Sequence, residues 1–215
     1  MDLDDTRKAG RQLLEPLVKL LARLGVSPSA VTVSGLVMAA VAAGFIWTGL
    51  YWQGALILYL GSILDAVDGG LARELGRESR AGAVLDSTLD RIGELFVLAA
   101  ILTGTAGTEH EILLYLVPAA LGGSFMVSYV RARAEGVGIE CSVGVFTRTE
   151  RLVLIITGLV LAGILAAGSS VLVWMLVLVS GGTWLTVAQR LWVVTRNGRN
   201  SRPESQIPPG EDMNV

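Results

Sequence analysis

"LDAVDGGLARELGRESRAGAVLDSTLD", residues 64–90, is the stretch whose reading decides the fold. It sets four carboxylates, Asp65, Asp68, Asp86 and Asp90, at the junction of two long apolar runs. Asp65 and Asp68 stand i, i+3 at the end of the first run, and Asp86 and Asp90 stand i, i+4 near the start of the next. Each pair therefore shares one helix face. A charged side chain inside a membrane helix costs about 3 kcal/mol, so carboxylates there point to function. The connection is short, which makes the two helices antiparallel neighbours and lets all four carboxylates converge. Unpaired, they would repel strongly in a low dielectric. A hard divalent cation resolves that conflict, and oxygen ligands suit magnesium or manganese. Aspartate–arginine pairs that merely staple two helix ends would explain any one of these residues. They explain four in this register poorly.

The rest of the chain fits a membrane setting. Of its 215 residues 52% are hydrophobic and only 17% are charged, and the mean hydropathy is +0.60. A soluble domain carries about 25% charge. Charge-free runs of about 20 residues mark spans. Six are expected, over residues 30–49, 53–74, 82–105, 112–134, 149–167 and 170–194. Ahead of them, "TRKAGRQLLEPLVKLLARLG" has Leu13, Leu14, Leu17, Val18, Leu21 and Leu24 at helical spacing, with Arg11, Glu15, Lys19 and Arg23 as a polar stripe. It reads as an amphipathic helix along the membrane surface, with Pro16 a point of potential kinking. The expected fold is an all-α integral membrane protein. An N-terminal cytoplasmic amphipathic segment (1–27) leads into a six-helix transmembrane catalytic domain (28–195), and a Pro/Gly-rich tail (196–215) is expected to be disordered.

The basic residues sort by side. With these spans, all 17 Lys and Arg fall before span 1, around the loops joining spans 2–3 and 4–5, or at the end of span 6. The opposite loops carry none. The positive-inside rule then sets both termini, and the aspartates, on the cytoplasmic side of the cell membrane. The opening "MDLDDTRKAG" is acidic and polar and does not read as a secretory signal. A single cysteine, Cys141, precludes an intrachain disulfide, and the lone His110 reads as a solvated loop residue; neither is given a role. No nucleic-acid partner is expected.

Small residues surround the carboxylates: Gly69, Gly70 and Ala72 on one helix, Gly82 and Ala83 on the next. Gly82, Asp86 and Asp90 share a stripe on which a ligand or a facing backbone can approach closely. Arg73, two turns beyond Asp65, can reach a phosphate beside a metal. The whole arrangement resembles the signature of the CDP-alcohol phosphotransferase family, D-x2-D-G-x2-A-R-x8-G-x3-D-x3-D. Here it reads Asp65, Asp68-Gly69, Ala72-Arg73, Gly82, Asp86 and Asp90, without departure in residue or spacing.

The resemblance implies an enzyme of phospholipid biosynthesis, one that displaces CMP from a CDP-linked lipid (CDP-diacylglycerol or its archaeal ether counterpart) with the hydroxyl of a second alcohol. It implies that Asp65, Asp68, Asp86 and Asp90 hold one or two ions, Mg2+ or Mn2+, and that Asp90 is also the general base. It further implies a homodimer. "GVSPSAVTVSGL" (25–36) looks like the family's entry to span 1, with Ser29 where Asn is usual. Ser29, Thr32, Gly69, Ala72, Arg73, Ser79 and Gly82 are the expected CDP-lipid residues, although ordinary helix capping would also account for Ser29 and Thr32.

The pattern "SYVRARAEG…RTERL" is similar to the subgroup that makes phosphatidylinositol phosphate or its archaetidyl equivalent, with inositol 1-phosphate as acceptor. By that similarity Ser128, Arg131, Arg148, Arg151 and Arg190 are the expected acceptor residues. Arginine suits an anionic acceptor because its fork matches phosphate. Positive-inside anchoring explains some of these arginines equally well. Glycerol 3-phosphate, also anionic, is the alternative acceptor. A divalent-cation transporter is the reading from a different class. Against it, beyond Glu94 the outer halves of the spans carry no charge to continue an ion path.

Overall fold

With no water to satisfy N–H and C=O groups, an apolar chain closes its hydrogen bonds within helices. The computed structural model describes residues 14–107, 111–165 and 168–198, and among these there are seven helices and no strand. Residues 14–23 form α1. It is followed by α2 (Pro28–Trp47), α3 (Tyr51–Glu74), α4 (Arg80–Gly104), α5 (Leu113–Glu135), α6 (Arg148–Ile164) and α7 (Gly168–Gly198). The bounds follow the expected runs closely; the largest difference is at α7, which continues past 194 to Gly198. His110, residues 1–13 and the tail from 199 onward lie outside the described residues.

Local chemistry sets the ends. Ser27 caps α2, its hydroxyl accepting from the Ala30 amide at 3.2 Å, with Pro28 in the first turn where its missing N–H costs nothing. Ser79 caps α4 in the same way, accepting from the Gly82 amide at 3.0 Å. The backbone reverses through positive φ at Gly49 (80°) after α2 and at Gly76 (62°) after α3, a conformation open to glycine without steric cost.

Four helices are long and apolar enough to cross a membrane: Pro28–Trp47, Tyr51–Glu74, Leu113–Glu135 and Gly168–Asn197. Six helices follow the expected runs, but two of them fall short of a span by length and composition, for separate reasons. α4 carries Asp86, Asp90, Arg91 and Glu94, and α6 has only 17 residues.

α2 packs on α3 and α4, α5 on α7, α6 on both α3 and α7, and α4 on α5. One core runs through all six, with Ile46, Leu98, Ile101, Leu159, Leu172 and Leu176 wholly buried. Close approach depends on small residues, as in membrane bundles generally. A Cβ added to Gly104 would lie 2.7 Å from the Trp47 carbonyl oxygen, so the ends of α2 and α4 touch through backbone. A smaller cluster joins α1 to the bundle: Leu14, Leu17, Val18 and Leu21 pack against Val67 and Leu71 of α3. Glu15 and Lys19, on the opposite side of α1, form an exposed ion pair at 2.5 Å. Leu24 lies past the end of α1 and is exposed.

Candidate active site

The last turns of α3 and the first turns of α4 carry the four aspartates, as their spacing predicts, and they lie where α2, α3, α4 and α6 meet. Two cavities open on them. The larger, about 440 Å³, is bounded by the start of α2, the end of α3, the α3–α4 turn and the start of α4. Ser29, Thr32, Gly69, Ala72, Arg73, Ser79 and Gly82 all line it, together with Asp68 and Asp86. Every residue expected to meet the CDP-lipid is therefore in one wall. The capping explanation fails for Ser29 and Thr32: Ser27 makes the cap, Ser29 is left exposed at the cavity, and the Thr32 hydroxyl donates to Asp68 Oδ2 at 2.7 Å. Ser79, by contrast, both caps α4 and lines the cavity.

The second cavity, about 70 Å³, lies on the far side of Thr32, between α2, α3, α4 and α6. Asp65, Asp90, Glu94 and Arg148 line its polar end, and Leu36, Leu58, Val97 and Ile155 are among its apolar walls. Arg148 reaches across from α6 to both Asp65 and Asp90. The side chains of the four aspartates are thus divided, with Asp68 and Asp86 on one cavity and Asp65 and Asp90 on the other. Among the described residues no group of three or more His, Cys, Asp or Glu is arranged to hold a metal ion. The chemistry of the donor set nonetheless fits one: these are hard oxygen donors on facing helices, and a cationic guanidinium is already drawn between two of them.

The expected acceptor residues divide as well. Arg148 is at the site. Arg151 is 1% exposed and forks onto Glu94, Nε to Oε1 at 3.0 Å and Nη2 to Oε2 at 3.4 Å. Arg190 is 3% exposed, with Nε donating to the Val143 carbonyl at 2.8 Å and Nη1 to the Val127 carbonyl at 2.5 Å. It joins α7 to α5 and to the segment ahead of α6. Ser128 is half-buried and 3.5 Å from the Ser124 carbonyl. Arg131 is exposed and pairs with Glu135 at 2.7 Å. Neither Ser128 nor Arg131 lines either cavity.

Sequence reasoning missed Glu94 as a site residue. It accepts from Arg91 Nη1 at 2.8 Å, from Arg151, and from the hydroxyl of the fully buried Ser124. The signal was present: Glu94 continues the Gly82, Asp86, Asp90 stripe by one more step of four. Also legible was the Thr147-x-x-Glu150 capping box, in which Glu150 Oε2 accepts from the Thr147 amide at 2.8 Å. It fixes where α6 starts, and so where Arg148 and Arg151 point.

A bundle of long apolar helices with paired aspartates on adjoining helix ends, facing a cavity lined by Ser, Thr and Arg, fits a membrane enzyme. The chain matches the CDP-alcohol phosphatidyltransferase family over residues 25–186, and it belongs to that family. It is 33% identical to the phosphatidylinositol phosphate synthase of Cutibacterium acnes over 196 residues, covering 90% of this chain and 95% of that one. It is 36% identical to the archaetidylinositol phosphate synthase of Methanothermobacter thermautotrophicus over 156 residues, covering 73% and 76%. The fold is similar to crystal structures of the Mycobacterium tuberculosis phosphatidylinositol phosphate synthase. With CDP-DAG bound, the TM-score is 0.82 at 29% identity, covering 89% of this chain and 98% of that one. In complex with manganese and citrate, it is 0.80 at 30% identity, covering 87% and 92%.

Proposed function

We propose that this protein transfers a phosphatidyl-type group from a CDP-linked lipid to the hydroxyl of inositol 1-phosphate and releases CMP. The observation that carries the reading is the 440 Å³ cavity, which gathers Ser29, Thr32, Gly69, Ala72, Arg73, Ser79 and Gly82 against Asp68 and Asp86. Two groups of relatives that share inositol phosphate chemistry support the acceptor.

The cytidine end of the donor would sit against Ser29 and Thr32, and Arg73 would fork onto its diphosphate. Asp65, Asp68, Asp86 and Asp90 would hold Mg2+ or Mn2+, which supplies charge neutralisation at the diphosphate. Phosphoryl-type transfer needs positioning and charge stabilisation more than covalent help. Asp90, beside the second cavity, takes the proton of the attacking hydroxyl. Arg148 is the residue best placed to meet the acceptor's phosphate, since its guanidinium reaches Asp65 and Asp90 at that cavity. Arg151 and Arg190 serve the acceptor indirectly, by fixing α6 and the segment before it. Ser128 and Arg131 have the weakest case for direct contact.

All six helices α2–α7 are read as spans, with the aspartates and both termini cytoplasmic. The charges in the middle of α4 face its neighbours rather than lipid, since Arg91 and Arg151 both pair with Glu94. At 1.5 Å per residue α6 spans about 26 Å, close to a hydrocarbon core of about 30 Å. α1, with its charged face exposed, lies along the cytoplasmic surface.

Membranes holding the protein should release CMP from CDP-diacylglycerol when magnesium and inositol 1-phosphate are added. Equal release with glycerol 3-phosphate would favour the alternative acceptor, and no release with either would overturn the reaction.

A further inference from the structure

Two ion pairs join α4 to α6, one helical turn apart. On α4 the carboxylates are Asp90 and Glu94, four residues apart; on α6 the arginines are Arg148 and Arg151, three apart. They make two rungs of a ladder. The upper rung, Asp90–Arg148, borders the cavity and is shared with Asp65, the single Nη2 nitrogen of Arg148 meeting both carboxylates.

The lower rung is of another kind. The Glu94 carboxylate takes four donors: Arg151 Nε at 3.0 Å, Arg151 Nη2 at 3.4 Å, Arg91 Nη1 at 2.8 Å and the Ser124 hydroxyl. A carboxylate offers about four lone-pair positions, so Glu94 has none left for a ligand. Its side chain is 11% exposed and that of Arg151 2%. Ser124 sits on α5, so the one carboxylate ties three helices. Buried polar networks that are fully satisfied rigidify what they join, and a fork onto a carboxylate fixes direction as well as distance.

We propose that Glu94 is a positioning residue for the transfer reaction. It locks the register of α6 against α4 through Arg151, and so sets where the Arg148 guanidinium stands relative to Asp90. The role rests on the reaction proposed above. Glu94 lines the same cavity, but its oxygens are filled by donors, and it acts through the helix that carries Arg148.

The test uses the full-length protein in detergent or membranes, with CDP-diacylglycerol, magnesium and inositol 1-phosphate. Glu94→Asp keeps the charge but shortens the reach, and Ser124→Ala removes a single donor from the network. A displacement of about 1 Å costs on the order of a hundredfold in a positioned reaction. Glu94→Asp should therefore lower kcat/KM for the acceptor by roughly tenfold to a hundredfold while the KM for the CDP-lipid stays within about twofold. Ser124→Ala should move the same constant in the same direction, less far. Glu94→Gln leaves the guanidinium groups of Arg91 and Arg151 facing a neutral amide, so it should melt below Glu94→Asp and still be impaired toward the acceptor. Acceptor constants unchanged in folded Glu94→Asp and Ser124→Ala proteins, or donor and acceptor constants falling together, would overturn the role. A wild-type protein that releases no CMP with any acceptor would instead overturn the reaction, and the role within it.

Discussion

At the residue scale, the site separates carboxylates by what they can still do. Asp65 and Asp90 share one guanidinium at a cavity, Asp68 accepts from Thr32, and Glu94 is saturated by four donors. Only the first pair has a partner that can move, because Arg148 is 39% exposed while Arg151 is 2%. Asp90→Asn keeps the shape and removes the base. General-base catalysis contributes about 10²–10⁴-fold, so kcat should fall by that order or more. Full activity in Asp90→Asn would remove the residue from proton transfer. Arg131 shows the opposite case. An exposed i, i+4 pair such as Arg131–Glu135 contributes about 0.3–0.5 kcal/mol, and nothing in its surroundings ties it to either cavity.

At the element scale, the helices are held by close approach and by polar locks at fixed levels. The locks cluster where α6 begins. Its N-terminus is set by Thr147 and Glu150, and the segment before it is fastened to α7 by three contacts. The Val145 amide donates to Gln189 at 3.3 Å, the Phe146 amide donates to Thr186 at 2.9 Å, and Arg190 donates to the Val143 carbonyl. These contacts explain how a short helix presents Arg148 and Arg151 accurately. The close approaches occur at glycines. At Gly104 the facing atom is a backbone oxygen, which cannot rotate aside. Gly104→Ala should therefore destabilise the bundle by about 1–3 kcal/mol, the ordinary range for overpacking. A lowered melting temperature in detergent would show it. The helix bounds were legible from charge-free runs and the α6 start from a capping box. The faces were less so, because α2 and α5 are apolar nearly all round and their sequences do not say which side meets which neighbour.

At the scale of the whole molecule, the sorting of basic residues and the position of the aspartates predict one orientation. Cysteines introduced at Thr48, Arg77 and Ile112, in a Cys141→Ala background, report it. All three positions are exposed ends or turns, and Cys141 is itself buried. Thr48→Cys and Ile112→Cys should react with an impermeant thiol reagent in intact cells, and Arg77→Cys only after the membrane is opened. Reaction at Arg77 and not at Ile112 in intact cells would reverse the orientation. Ile112 and Arg77 reacting from one side would mean that α4 does not cross.

The sequence by itself determined the helices, the register of the four aspartates, the side to which the basic residues sort and, through one unbroken signature, the family. These are properties of short spacings, and a helix converts spacing into a face without help from the rest of the chain. The tertiary structure alone decided which carboxylates share a cavity. It also decided that Arg151 and Arg190 are buried and hydrogen-bonded across helices and that Glu94 lines the second cavity. Glu94 and Arg151 stand 57 residues apart, and Arg190 and Val127 stand 63 apart. Such pairs exist only once the helices pack, and helix packing in an apolar medium is set by shape and by satisfaction of buried polar groups, which no local pattern encodes.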